Sequence, residues 1–314
     1  MQTLRKPFAD RLADAVRRRG NPVVVGLDPR LEQLPDRLRP GAGAPLAAQA
    51  DAFRTFCQGV IDVVAPLVPA VKPQAAFFER LGVPGVAALA DVIDYARQKG
   101  LLVILDGKRN DIGTTASAYA EAYLGADSAW RADALTVSPY LGTDSLTPFA
   151  ELAQQRDAGV FVLVKTSNPG GGAFQDLVTD GRPLYRHVAE QVEAFAAVNC
   201  GQCGYGAVGA VVGATYPEQL AELRGAMPHC WFLVPGYGSQ GGAAADVRAA
   251  FDANGLGAVI NNSRGIIFAH ALKPYADQFG PAHWQEAVEA ATRHMIDQLW
   301  AETPAGKLVS RIAP

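Results

Sequence analysis

The residues with the greatest capacity for chemistry form one short cluster, in which Asp106, Lys108 and Asp111 follow the pattern D-x-K-x-x-D. Residues two apart on a β-strand point to the same side, so Asp106 and Lys108 are expected to share a face. An ammonium fixed between carboxylates can stabilise negative charge that develops on a substrate carbon, and it can then donate its proton. The simpler interpretation is a solvated salt bridge, with Asp111 capping a helix that begins near Thr114. Lys72, on the preceding apolar run, favours an extended charge network.

Polar residues also end most of the other apolar runs of the chain. They are Asp28 at the end of the first run, Lys72 in the second, Lys165, Ser167 and Asn168 around the end of the fifth, residues 235–242 from the end of the seventh, and residues 261–265 from the end of the eighth. A hydrophobic core has no use for so many polar strand ends. We therefore expect them to converge on one pocket.

The elements that must position these residues are eight short apolar runs. They are Val23–Asp28, Ala70–Gln74, Leu101–Lys108, Ala134–Tyr140, Val160–Thr166, Val208–Thr215, Phe232–Gly236 and Ala258–Ser263. Continuous rather than alternating apolar character is typical of parallel strands that are buried on both faces. With helical stretches between them, the runs predict an α/β fold, a (β/α)8 TIM barrel, whose active site lies at the carboxyl ends of the strands.

The chain is longer than a minimal barrel requires, and the extra residues are predicted to form a terminal helix and two long loops. We predict one domain over residues 1–314, with an N-terminal helix at about 8–19 that closes the barrel bottom. Long loops follow strand one, at 29–45, and strand five, at 168–183.

Composition and charge restrict the partners and the compartment. The chain has 314 residues, 49% hydrophobic and 19% charged, with a net charge of −3. This balance gives no general attraction to nucleic acid or to an anionic membrane. The first twenty residues have no leader pattern, and no apolar run approaches the roughly 18 residues of a membrane span. We expect a cytoplasmic protein.

Among the four cysteines, Cys200 and Cys203 form a single C-x-x-C, which is weak support for a metal or redox site.

The D-x-K-x-x-D-I spacing on the third run resembles the orotidine 5′-monophosphate decarboxylase family. The matching segments follow in the family's order over nearly the whole chain: Asp28, residues 71–74, 106–115, 166–170, 235–242 and 263–265. The extra loops and the segments Val-Lys-Pro-Gln and Gly-Lys-Arg-Asn are similar to its longer bacterial subfamily. Because the match depends on joint order and spacing, it is more specific than any one motif.

The resemblance implies a cofactor-free and metal-free decarboxylation of orotidine 5′-monophosphate to uridine 5′-monophosphate by a homodimer with shared active sites. It implies that Lys72, Asp106, Lys108 and Asp111 form an alternating charge array in which Lys108 protonates the ring carbon. The resemblance also implies that Asp28 binds the ribose hydroxyls, with Lys72 and Thr115 in support, and that Ser167 contacts the pyrimidine ring. It implies that Gln240 and Arg264 bind the phosphate and that Pro235 and Ser263 make further substrate contacts. Finally, it implies that Asp111, Ile112 and Thr115 enter the site from the second subunit. Lys165 receives no role and is expected to be structural.

Two alternatives remain beside this interpretation, and a third, a dinucleotide site, is disfavoured. A metal-dependent sugar-phosphate decarboxylase or synthase would share the motif on strand three but would need magnesium. A non-catalytic nucleotide-binding protein on the same fold would be expected to lack part of the array. Gly236, Gly238 and Gly241 fit a dinucleotide pattern, yet the next strand ends in Arg264 rather than in the acidic residue that a ribose diol needs, so these glycines favour a phosphate cradle.

Overall fold

Eight parallel strands close into a barrel in the computed structural model, which describes residues 6–238 and 241–311. The barrel strands are β1 (Val23–Leu27), β2 (Ala70–Pro73), β3 (Leu102–Arg109), β4 (Ala134–Val137), β5 (Gly159–Lys165), β6 (Val208–Val212), β7 (Phe232–Val234) and β8 (Ala258–Asn262). Around the ring, each strand pairs with its neighbours in the chain, and β8 pairs with β1. Each of the eight apolar runs lies on one of these strands, so the predicted (β/α)8 barrel is confirmed.

Helices connect the strands and surround the barrel. The α-helices are α1 (Phe8–Arg19), α2 (Leu46–Val64), α3 (Ala75–Glu79), α4 (Gly82–Gln98), α5 (Gly113–Leu124), α6 (Thr143–Gln155), α7 (Gly172–Gln175), α8 (Leu184–Val198), α9 (Pro217–Ala226), α10 (Arg264–Ile267), α11 (Tyr275–Phe279) and α12 (Trp284–Glu302). Short 3-10 helices cover Leu31–Gln33, Asp36–Leu38, Pro169–Gly171, Ala245–Ala250, Ala269–Ala271, Pro281–His283 and Pro304–Arg311. None of the helices in the described ranges is long and apolar enough to cross a membrane.

Helix α1 lies at the end of the barrel where the strands begin. The ring of Phe8 packs edge-on against that of Phe161, with centroids 6.0 Å apart. Arg11 donates one hydrogen bond of 2.6 Å to Asp133, which precedes β4, and another to the carbonyl of Asp157, which precedes β5. The opposite end, where the strands finish, is left for the site.

The two long loops contain regular structure. The loop after β1 carries the first two 3-10 helices. The segment after β5 forms a 3-10 turn, helix α7 and an antiparallel hairpin of Val178–Thr179 with Arg182–Pro183. The long loop that was predicted after strand five is therefore a folded insertion.

Strand β3 departs from the regular geometry that the alternation argument assumed. Its pairing with β4 shifts register between Leu105 and Arg109. Within this irregularity, Lys108 has a φ of 46°, in the left-handed region that residues with a Cβ rarely adopt. The shared face of Asp106 and Lys108 is therefore produced by a bulged strand end and not by a simple two-residue period.

Candidate active site

A buried carboxylate between two ammonium groups forms the centre of the site. Lys72 Nζ donates to Asp106 Oδ2 at 2.7 Å, and Lys108 Nζ donates to Asp106 Oδ1 at 2.6 Å. The side chains of Lys72 and Asp106 are 5% and 9% exposed, whereas that of Lys108 is 48% exposed. Three of the four predicted array members thus meet, and Lys108 is the one that reaches the open space.

The electrostatics keep this array charged. Burial by itself raises the pKa of Asp106, but Lys72 and Lys108 outweigh it and hold the pKa well below the ordinary 3.8. Burial by itself lowers the pKa of Lys72, yet attraction by Asp106 and then Asp28 raises it above the ordinary 10.5. A charge this deeply buried is tolerated only when it is paired in this way.

These two shifts predict how the array contributes to stability across pH. Asp106 stabilises the folded state above the pKa that it has in the unfolded chain, and this stabilisation is lost as pH falls through its lowered folded-state pKa. Lys72 stabilises the folded state below the pKa that it has in the unfolded chain, and this stabilisation is lost as pH rises through its raised folded-state pKa. The double variant Asp106→Asn, Lys72→Met removes both titrations. We expect the difference in unfolding free energy between wild type and this variant to stay constant from about pH 5 to about pH 9. A steady slope within that window would contradict the assigned shifts.

The array faces a cavity of about 640 Å³ at the carboxyl ends of the strands, a volume ordinary for a small-molecule site. Every barrel strand or its end contributes to the wall: Asp28, Lys72, Asp106, Thr136, Leu163, Val211, Leu233 and Asn261. Ser167, Pro235, Ser263 and Arg264 also line this cavity, so most of the residues predicted for the site are brought together. Gln240 lies outside the described residues.

Two buried side-chain oxygen atoms in the cavity wall have no hydrogen-bond donor among the described residues. Asp28 Oδ1 and Asn261 Oδ1 are buried and receive no hydrogen bond from the described residues. Gly26 on β1 makes room for the side chains of Asn261 and Ser263, since a Cβ there would stand 3.3 Å from Asn261 Oδ1 and 2.7 Å from the Cβ of Ser263. Buried acceptors of this kind are satisfied by a polar ligand. Asn261 belongs to the polar end of strand eight, and its burial in the wall of the cavity that Asp28 also lines adds it to the candidate site.

Among the described residues of the glycine-rich segment after β7, several backbone N–H groups are already engaged. The backbone N–H groups of Gly238, Gly241 and Gly242 donate to carbonyls within the segment, and that of Ala243 donates to the carboxylate of Asp246 at 2.8 Å. Regular structure resumes only at Ala245, as a 3-10 helix. These four N–H groups are therefore not available to an anion, whereas the cationic side chain of Arg264 lines the cavity.

The insertion after β5 shapes the cavity wall on the side of Ser167. Gln175 accepts from the Thr166 backbone N–H at 3.0 Å and donates to the Thr166 hydroxyl at 2.7 Å, and it lines the cavity beside Phe174. Lys165, which is almost fully buried, forms an ion pair with Asp176 of the insertion. Lys165 Nζ also lies 4.8 Å from the ring centroid of Tyr216. Both contacts hold the buried Lys165 side chain against neighbouring parts of the chain, and its structural role stays a prediction.

Asp111, Ile112 and Thr115 do not line the cavity of their own chain. Ile112 is 55% exposed, which is unusual for a large apolar side chain, and Thr115 is exposed too. The helix-cap interpretation of Asp111 is wrong. Its carboxylate accepts from the Ile112 N–H at 2.8 Å, and Ile112, the residue at the cap position of α5, forms no side-chain cap.

Thr136 is a site residue that the sequence analysis missed. Its hydroxyl accepts from the Lys108 backbone N–H at 2.9 Å and donates to Asp106 Oδ1 at 3.0 Å. The available signal was one polar residue within the apolar run that follows the cluster.

Within the described ranges, no group of three His, Cys, Asp or Glu side chains is arranged to hold a metal ion, and Cys200 and Cys203 are free thiols.

The fold and the site together define a class: an enzyme on a (β/α)8 barrel with an Asp–Lys charge array at the carboxyl ends of its strands. The chain belongs to the Orotidine 5'-phosphate decarboxylase / HUMPS family, whose model matches residues 21–278. The resemblance read from the motifs is therefore confirmed at the level of the family.

Individual relatives cover nearly the full chain. The orotidine 5'-phosphate decarboxylase of Rhodopirellula baltica is 58% identical over 297 residues, which are 93% of this chain and 98% of the relative. That of Deinococcus radiodurans is 43% identical over 266 residues, 84% of this chain and 90% of the relative. Among solved structures, the OMP decarboxylase of Leishmania donovani aligns with a TM-score of 0.73 at 36% identity, covering 94% of this chain and 98% of that one.

Proposed function

We propose that this chain decarboxylates orotidine 5′-monophosphate to uridine 5′-monophosphate in pyrimidine nucleotide synthesis. The observation that carries the proposal is the buried Asp106 carboxylate between Lys72 and Lys108, at the wall of a cavity of nucleotide size. Membership of the family and relatives with this activity in their names support the same reaction.

The reaction breaks the bond between the ring carbon and its carboxylate. The electron pair stays on the ring carbon, and neutral carbon dioxide leaves. That pair is poorly delocalised, so a fixed ammonium beside the carbon stabilises it more than water would. Lys108 then gives its proton to the carbon, and water reprotonates the resulting amine. All atoms balance without a cofactor.

Asp106 has two roles in this scheme. It holds Lys108 charged and aimed, through the 2.6 Å contact. Its own negative charge also lies beside the departing carboxylate, and such a like-charge contact is worth about 4 kcal/mol at about 4 Å with an effective dielectric near 20. Loss of carbon dioxide relieves that repulsion.

The other groups of the cavity suit the rest of the nucleotide. Asp28 and Asn261 present unpartnered oxygens for the ribose hydroxyls. Ser167 and Pro235 line the space for the pyrimidine ring, while Ser263 and Arg264 line the end for the phosphate. Gln240 is assigned to the phosphate from the resemblance alone.

We further propose a homodimer with shared active sites, acting in the cytoplasm. Asp111, Ile112 and Thr115 would complete the site of the second subunit. The proposal is supported by the exposure of Ile112 and Thr115 and by the absence of all three from the lining of their own cavity. In that arrangement Asp111 becomes the fourth member of the alternating array, next to the other subunit's Lys108.

A direct assay tests the reaction. Purified protein and orotidine 5′-monophosphate should give uridine 5′-monophosphate and carbon dioxide, followed by the loss of orotate-ring absorbance. A protein that binds the nucleotide without turnover would instead fit the non-catalytic alternative. Turnover of a sugar phosphate but not of this nucleotide would fit the metal-dependent one.

Activity should survive exhaustive chelation. The strand ends offer ammonium groups rather than a ligand cluster, and the described residues contain no candidate metal site. Protein treated with EDTA and passed over a desalting column is expected to keep its kcat within experimental error, because no step requires a Lewis acid. Activity that disappears and returns with magnesium would favour the sugar-phosphate alternative.

Arg264→Ala should raise KM and also lower kcat. Phosphate is remote from the bond that breaks, yet remote binding energy can be realised in the transition state. Loss of a charge-assisted contact worth roughly 1.5–3 kcal/mol corresponds to about a 10- to 150-fold fall in kcat/KM. Arg293→Ala is the matched control, since Arg293 is an exposed residue of α12 paired with Glu289. Equal kinetics of the two variants would place the phosphate elsewhere.

A further inference from the structure

Thr136 is a buried polar residue whose hydroxyl contacts two members of the charge array. It is 1% exposed and stands among Ala134, Leu135 and Val137 in a strand that is otherwise apolar. A buried hydroxyl is costly unless its hydrogen-bonding capacity is used. Here both kinds of capacity are used: the oxygen accepts from the backbone of Lys108, and the hydrogen is donated to the carboxylate of Asp106.

The direction of these two bonds is fixed by charge. The lowered pKa of Asp106 keeps its carboxylate ionised, and an ionised carboxylate can only accept hydrogen bonds. The single hydroxyl hydrogen of Thr136 must therefore point to Asp106 Oδ1. A lone pair is then left for the backbone N–H of Lys108. No other assignment satisfies all three groups.

The backbone that Thr136 holds is strained. Lys108 adopts a φ of 46° where β3 loses register with β4. Such a conformation at a residue with a Cβ persists only when its surroundings enforce it. The hydrogen bond from the Lys108 N–H to Thr136 ties the strained residue to the neighbouring strand. The same hydroxyl ties that strand to Asp106, which in turn binds the Lys108 ammonium.

We propose that Thr136 is a positioning residue for the chemical step, and this inference rests on the proposed function. Its hydroxyl fixes the main chain of Lys108 and the carboxylate of Asp106 relative to each other. The ammonium is thereby aimed at the reacting carbon before substrate arrives. Threonine suits the task better than serine, because two heavy atoms on Cβ restrict χ1 and hold the hydroxyl in one orientation.

The kinetic test compares variants that remove or keep the hydroxyl. Thr136→Val keeps the shape, and Thr136→Ala removes the hydroxyl without adding a methyl group, so at least one of the two should fold. In both, kcat for orotidine 5′-monophosphate should fall about 10- to 100-fold, since a buried N–H and a carboxylate lose their partner. KM should change less than about threefold, because the contacts to ribose and phosphate persist. Thr136→Ser should keep kcat within about threefold of wild type.

The control is Thr292→Val. Thr292 is also fully buried, and its hydroxyl donates to the Val288 carbonyl within α12, away from the cavity. A purely structural role predicts that Thr136→Val and Thr292→Val lower thermal stability with similarly small changes in kcat. That result would overturn the proposal. So would a loss of kcat in Thr136→Ser as large as that in Thr136→Val.

A second measurement separates this proposal from the proposed function. Crystal structures of wild type and Thr136→Val, or Thr136→Ala, without ligand should differ at Lys108. The backbone is expected to leave the left-handed region, and the contact between Lys108 Nζ and Asp106 should lengthen. If wild type does not turn over orotidine 5′-monophosphate, the function has failed and these structures alone decide the role of Thr136. Unchanged φ and an unchanged contact would overturn the role whatever the activity.

Discussion

Lys108→Ala is expected to lower kcat by at least about 10⁴-fold, since it removes both the charge that stabilises the ring carbon and the proton that the carbon receives. Charge stabilisation and proton donation each ordinarily accelerate a reaction by about 10²-fold or more. The fold should survive, because the Lys108 side chain is half exposed and Lys72 still pairs with Asp106. The measurement is single-turnover decarboxylation with enzyme in excess.

Two further variants make the test specific to proton donation and to position. Lys108→Arg retains a positive charge but not a proton that can be transferred, because guanidinium stays protonated. It should bind uridine 5′-monophosphate and remain nearly inactive. Lys99→Ala is the matched control, since Lys99 is an exposed lysine at the end of α4 that pairs with Asp62. A Lys108→Ala enzyme within about tenfold of wild type would remove Lys108 from the chemical step, because one proton transfer alone exceeds that factor.

The barrel was predictable because each of its strands is marked in the sequence by its own continuous apolar run. Val23–Leu27 and Val208–Val212 are buried at every position, and a continuous apolar run records that burial directly. The polar residue at the end of such a run marks the end of the barrel that carries the site. Asp28, Lys72 and Asp106 meet at one cavity for this reason alone.

The geometry within the site could not be obtained in the same way. The left-handed backbone of Lys108 lies within a register shift between β3 and β4, which depends on how the two strands pair and is not visible in either strand's sequence alone. Thr136 was concealed because one hydroxyl in an apolar run looks like an ordinary strand threonine until its two partners are known. The insertion after β5 was predicted only as a long loop, because the contacts of Gln175 and Asp176 at the end of β5 depend on the folded chain and not on a sequence pattern.

Co-expression of Lys108→Ala with Asp111→Ala chains should restore activity that neither variant has alone. If Asp111 enters the partner's site, each site combines the Lys108 of one chain with the Asp111 of the other. Both homodimers are then expected to be nearly inactive. In a mixed dimer, the chain that keeps Lys108 faces a partner that keeps Asp111, so one site is complete and the other lacks both groups.

The expected recovery follows from the two-fold symmetry. Random pairing makes roughly half of the dimers mixed, and each has one good site of two, so roughly a quarter of wild-type activity should return. Mixed dimers purified through two different tags should reach roughly half. The chains must be co-expressed or refolded together, because a tight dimer exchanges slowly. Asp127→Ala, a change at an exposed aspartate beyond α5, replaces Asp111→Ala in the control and should be fully active by itself. Purified mixed dimers no more active than their parents would refute the shared site, and Asp111 would then act within its own chain, where its carboxylate accepts from the Ile112 N–H.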